Sequence, residues 1–203
     1  MDNRIQPLLE RLREIQQQIE LELERQRKNV DFILAEGKVW FSAPVLRQHL
    51  QFRLPLLAYL RRARWSVVLS APFIYVLIVP FALLDFFLWV YQAICFPIYG
   101  LPKVRRGDYI FVDRGALAYL NLIEKINCLY CGYGVGLMAL GREVASRTEA
   151  YWCPIKHARK IQDPHPAYFD FAEFGDPEGY RRRLRAAREP GPQGGARGGV
   201  TFR

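Results

Sequence analysis

Residues 65–102 read WSVVLSAPFIYVLIVPFALLDFFLWVYQAICFPIYGLP, with Asp85 the single formal charge. About 20 consecutive apolar residues already span the hydrocarbon of a bilayer, so the stretch reads as membrane-inserted rather than as a core helix. As one straight helix it would measure about 57 Å at ~1.5 Å per residue, against about 30 Å of hydrocarbon. Pro72, Pro80, Asp85 and Pro97 are the candidates to divide it.

Two divisions fit. A single span over 66–86 can be followed by an aromatic interfacial helix with Phe86, Phe87, Trp89 and Tyr91. Alternatively a helical hairpin turns near Pro80–Asp85. Arg61, Arg62 and Arg64 precede the stretch, and Lys103, Arg105 and Arg106 follow it. Cationic flanks favour the cytoplasmic side, so both clusters on one face favour the hairpin. These six cations are the candidate contacts with an anionic lipid surface. Asp85 then falls at the hairpin tip, among headgroups.

The whole chain of 203 residues is 51% hydrophobic and carries a formal net charge of +9. Residues 1–64 hold 12 Lys+Arg against 8 Asp+Glu, and residues 103–203 hold 17 against 11. Both polar parts are therefore basic, which suits anionic lipid ahead of nucleic acid. The N-terminus reads Met1-Asp2-Asn3-Arg4 and stays polar, so no cleaved secretory leader is expected.

Upstream, residues 1–37 centre on an amphipathic helix over 4–27. Ile5, Leu8, Leu12, Ile15 and Ile19 keep a/d spacing before Leu23 and Val30 shift frame. The seam suits a coiled-coil homodimer through residues 5–23, or a helix packed on the rest of the protein. Residues 38–64 mix Trp40, Phe41, Phe52 and Tyr59 with Arg47, Arg53 and the three arginines named above. Pro44 and Pro55 cut this part into short helices suited to the headgroup layer.

Downstream, residues 103–188 read as a small helical domain. Asp108–Asp113 has strand character. Helices are expected over Gly115–Tyr130, Leu137–Tyr151 and Pro154–Ile161, with Gly132, Gly134 and Gly136 loosening the chain between the first two. Gln162–Pro177 reads as a loop, and Arg181–Arg185 as the end of a short helix. The Gly/Pro-rich tail 189–203 is expected to be disordered. The arginine run and tail suit a lipid surface ahead of RNA.

One constellation carries chemistry. Cys128, Cys131, Cys153 and His157 form C-x2-C-x21-C-x3-H, the ligand types and spacing of a tetrahedral metal site. Gly132 permits a turn after the first pair, and Pro154 suits the first position of a helix carrying Cys153 and His157 one turn apart. Zinc is the first expectation, clipping two helices together. An iron–sulfur cluster is the alternative, and a redox dithiol at Cys128/Cys131 a third reading. Cys95 reads as a small apolar residue, and His49 and His165 stand alone. No catalytic set or small-molecule substrate is legible.

Asn127–Tyr133 together with Tyr151–Arg159, a CxxCG…WCPxKHA pattern, resembles an uncharacterised family of bacterial membrane-associated proteins. The resemblance covers roughly residues 65–161. It implies a bacterial inner-membrane setting, with the polar parts cytoplasmic, and no activity. The expected fold is mainly α: an N-terminal amphipathic helix, a membrane-inserted helix or hairpin, and a metal-clipped helical domain. The expected function is a non-catalytic membrane scaffold or adaptor, with a membrane-associated redox protein as the competitor.

Overall fold

The structure, a computed structural model, describes residues 5–27, 32–35 and 38–189. It is mainly α, as expected. The tail beyond Glu189 lies outside the described residues. Two compact units result: one from the chain up to Pro55 with Asp113–Asn121, the other from Leu56–Val112 with Leu122 onward.

The first unit begins with α1 (Ile5–Arg27), close to the expected bounds. Leu8, Leu12, Ile15 and Ile19 stay exposed along it, so this side has no partner among the described residues. Next come β1 (Phe32–Ala35) and β2 (Lys38–Phe41), an antiparallel pair with Ile33 opposite Trp40. This strand pair was not expected from the sequence, whose Glu36-Gly37 is not among the dipeptides that mark a two-residue hairpin. Ser42 precedes α2 (Ala43–Gln51), with Pro44 at its start, where the missing N–H costs nothing. His49, half-buried, packs edge-on against Phe41 at 4.8 Å and Tyr119 at 5.0 Å.

The second unit holds α3 (Leu56–Arg62), α4 (Trp65–Val76), α5 (Ile78–Tyr99), α6 (Leu122–Trp152) and α7 (Pro177–Arg188). The expected hairpin does not form. Leu77 joins α4 to α5 in right-handed conformation, φ −64° and ψ −13°. Pro80 has no N–H to offer the Val76 carbonyl, which accounts for the one-residue break but turns nothing round. Trp65–Tyr99 is thus one run of 35 residues, long and apolar enough to cross a membrane. Asp85 lies inside it rather than at a tip. Gly100 stops α5 at φ +68°, with the Leu101 N–H on the Phe96 carbonyl at 2.9 Å; only glycine takes that left-handed turn cheaply.

The two helices expected around residues 132–136 are one continuous helix, α6. Its glycines are there for close approach rather than for bending. A Cβ on Gly134 would meet the Phe81 ring at 2.9 Å, and one on Gly136 would meet the Tyr109 carbonyl oxygen at 2.5 Å. α6 runs parallel to α4–α5 and in step with it. Tyr130 donates to the Ile74 carbonyl at 2.7 Å, Tyr133 to Asp85 at 3.0 Å, and Tyr91 pairs with Thr148 at 3.0 Å. At the far end Tyr99 stacks on Tyr151 at 4.9 Å.

Parallel neighbours need a return, and residues 101–112 supply it as a strap laid along both helices. The Val104 N–H donates to Gln92 at 2.7 Å, Arg106 reaches Asp85, and Tyr109–Phe111 fill the notch that Gly132 and Gly136 leave. The strap holds a single 3-10 turn at Arg106–Asp108 and no strand at 108–113. Phe96, Val104, Leu137, Leu140 and Val144 form the core between helices and strap, with Phe96 and Leu137 fully enclosed.

Candidate functional site

The four expected metal ligands are not brought together. Cys128 and Cys131 stand i, i+3 on α6, while Cys153 follows its last residue, with its N–H still on the Glu149 carbonyl at 2.8 Å. Twenty-two residues of helix from Cys131 to Cys153 cover about 33 Å at ~1.5 Å per residue. Ligands of one zinc ion must all lie within about 2.0–2.3 Å of it. The Cys3His zinc clip is therefore corrected: one continuous helix holds its halves apart, and a mononuclear or two-iron centre fails on the same distance. Among the described residues no three His, Cys, Asp or Glu side chains converge as a metal group.

The second half-site differs locally as well. No helix forms over Pro154–Ile161. Pro154–Lys156 instead lies alongside Ala172, with Lys156 N–H to Ala172 O at 2.8 Å and Ala172 N–H to Pro154 O at 2.9 Å. The His157 ring stacks on Tyr168, whose hydroxyl accepts the His157 N–H at 2.8 Å. Burial pushes the Cys153 thiol above its usual pKa and the Glu149 carboxylate adds to this, the opposite of what a thiolate ligand needs.

His165 is not isolated, contrary to the sequence expectation. Its Nδ1 lies 2.8 Å from the Ser146 hydroxyl and its Nε2 lies 2.9 Å from Glu149. The order Ser–His–Glu invites comparison with a hydrolytic triad, but the surroundings do not suit one. Ser146 is buried in the middle of α6, where the neighbouring N–H groups are spent on the helix and cannot receive an oxyanion. The trio instead fastens the 163–172 loop to α6. Arg142 clamps Asp163 beside it through the backbone oxygen at 2.6 Å and the carboxylate at 2.9 Å. This cluster had no contiguous motif to reveal it. Ser146 and Glu149 share a helix face, and only the folded loop adds the imidazole.

The six candidate lipid contacts also divide. Arg61 and Arg62 lie in the last turn of α3 and Arg64 is the N-cap residue of α4. Lys103 and Arg105 lie in the strap on either side of Val104, which is tied to Gln92, and both are exposed. The two clusters are thus spread along a 35-residue run instead of sharing one face, which removes the charge argument for the hairpin. Arg106 is committed elsewhere: its guanidinium grips Asp85 at 2.7 and 3.3 Å, and Tyr133 donates to the same carboxylate.

What remains as the dominant surface is apolar. Trp65 is 82% exposed, Phe73 77%, Leu69 71% and Trp89 66%, and the most apolar window of the run has none of its residues buried. On α6, Ile126, Leu129, Val135 and Met138 are exposed beside it. A soluble core helix would bury such residues; side chains like these need a non-aqueous neighbour. Comparison with protein-family models, curated protein sequences and solved structures finds no match to this chain.

Proposed function

We propose that this chain is an inner-membrane scaffold of the bacterial type, anchored by Trp65–Tyr99 with α6 and the strap packed beside it. Basic and aromatic segments on either side engage anionic lipid. The reading is carried by one observation, the exposed apolar run, whose side chains have no other cover among the described residues. The exposed Leu12, Ile15 and Ile19 of α1 support a role for the N-terminal helix in self-association. A scaffold of this kind holds partners at the bilayer and needs no reaction centre.

Asp85 fits the same picture. A lone carboxylate in hydrocarbon is costly, and ionisable groups there are paired as a rule. Here Arg106 arrives from the strap and Tyr133 from α6, so the pair also holds the three segments together.

Arginines at two exposed positions separate membrane anchoring from a soluble fold. Val76→Arg and Val79→Arg replace residues 60% and 57% exposed, so neither disturbs the packing between helices. In a bilayer each substitution costs about 2.5–3.5 kcal/mol at mid-depth. The double variant should leave the alkaline-carbonate-resistant membrane fraction that holds the wild type. If it stays membrane-bound, or if wild type is already soluble without detergent, the anchor does not exist.

A further inference from the structure

A groove of about 480 Å³ opens between α5 and α6 near their C-terminal ends, within the ~300–1,000 Å³ that holds most small ligands. Leu88, Tyr91, Gly141, Ala145, Thr148 and Trp152 line it. Gly141 and Ala145, one helical turn apart, are what keep it open. Most of its oxygen atoms are already engaged: Tyr91 and Thr148 pair with each other, and the Glu149 carboxylate lies against His165. An apolar, unbranched occupant is what such walls accept.

The groove does not end on apolar atoms. Trp152, one of its walls, also carries a cation. The Arg188 guanidinium of α7 lies 5.1 Å from the Trp152 ring centre and 5.4 Å from that of Tyr151. A guanidinium face-on to rings keeps its N–H edge free for a bidentate anion. Among the described residues Arg188 makes no ion pair, and neither do Arg181, Arg182 or Arg185 on the same helix. Tyr99, Tyr151 and Trp152 cluster there, the residue types that gather at the boundary between hydrocarbon and headgroups.

We propose that this groove is a binding site for an anionic phospholipid, with one acyl chain between α5 and α6 and the headgroup phosphate on Arg188. The inference rests on the membrane reading above and deepens it. The groove supplies the apolar slot, the aromatic cluster sets the depth, and the Arg188 guanidinium on the Trp152 ring selects for charge.

Native mass spectrometry of the full chain in detergent tests it, with phosphatidylglycerol and phosphatidylcholine of identical chains added separately. Wild type should retain phosphatidylglycerol over phosphatidylcholine. Arg188→Gln, at an exposed position whose side chain rests on the Trp152 and Tyr151 rings, should cut that preference about fivefold, the factor given by ~1 kcal/mol per basic residue at an anionic surface. Ala145→Trp, which fills the slot from its open side, should reduce retention of both lipids. Equal retention of the two lipids by wild type, an unchanged preference in R188Q, or full retention by A145W would each overturn the site. Carbonate extraction of both variants should match wild type, so a failed groove stays distinguishable from a failed anchor.

Discussion

The notch in α6 allows a sharp test with a single methyl group. A Cβ at position 136 would lie 2.5 Å from the Tyr109 carbonyl oxygen and 3.0 Å from the Ile110 Cα, both backbone atoms of the strap. Neither can rotate away, so Gly136→Ala must push the strap off the helix. Helix propensity alone predicts the reverse, a gain of about 1 kcal/mol on replacing glycine in a helix interior. Overpacking costs about 1–3 kcal/mol. Displacing Arg106 from Asp85 removes a charged hydrogen-bonded contact worth about 1.5–3 kcal/mol. The net is a loss of about 1.5–5 kcal/mol. Gly141→Ala is the control, because its Cβ meets only Leu88 Cδ1 at 3.5 Å, ordinary contact. That variant keeps the propensity gain. G141A gains about 1 kcal/mol, so the gap is about 2.5–6 kcal/mol; at about 2–4 °C per kcal/mol for a chain of this size, G136A should melt roughly 5–24 °C below G141A in detergent, followed by circular dichroism. Equal melting temperatures would show that no strap lies in the notch.

Other outcomes follow from the same geometry. A bismaleimide with a reach of about one helical turn, ~5.4 Å, should join Cys128 to Cys131 and never either of them to Cys153; a link to Cys153 on mass mapping would restore the expected ligand cluster. His165→Ala leaves the buried Ser146 hydroxyl without its ring partner, at about 1–3 kcal/mol; amide exchange should quicken at 155–157 and 168–172, and unchanged protection there would remove the latch. Because the Cys153 thiol is held above its usual pKa, it keeps its proton to higher pH; its alkylation rate should rise only above the pH at which an ordinary thiol has already ionised, and a profile at or below that of a free thiol contradicts the assignment. Asp85→Asn should destabilise the protein more than Asp85→Asn combined with Arg106→Gln, since the single change strands a cation; equal melting temperatures would deny the pairing.

Much of the fold was legible where periodicity and composition act locally. The a/d seam of α1, the proline-marked starts of the short helices and the uncharged run 65–84 all correspond to observed elements. The β1–β2 pair was not legible, because two runs of four residues are too short for alternation to mark them among the aromatic and basic residues around. The split of α6 and the metal clip share one cause. Gly132, Gly134 and Gly136 were read as freedom for the chain, when a tertiary neighbour uses the missing side chains as room. Splitting α6 at that point is also what allowed Cys131 and Cys153 to be folded toward each other. With α6 whole, the spacing C-x2-C-x21-C-x3-H becomes a coincidence of residue types along a rod. Charge at the flanks misled similarly, because the sequence does not reveal that Arg106 neutralises Asp85. The Ser146–His165–Glu149 cluster needs a loop fold that no local pattern encodes.

The parallel course of α6 beside α5 also sets an order for biosynthesis. A nascent chain leaving the ribosome exposes α4–α5 first, then a strap whose carbonyls have only half their cradle, and the glycine-notched helix last. Phe96 and Val104 cannot be enclosed until Val144 has been synthesised. For some forty residues of translation, then, the apolar run waits with one flank open.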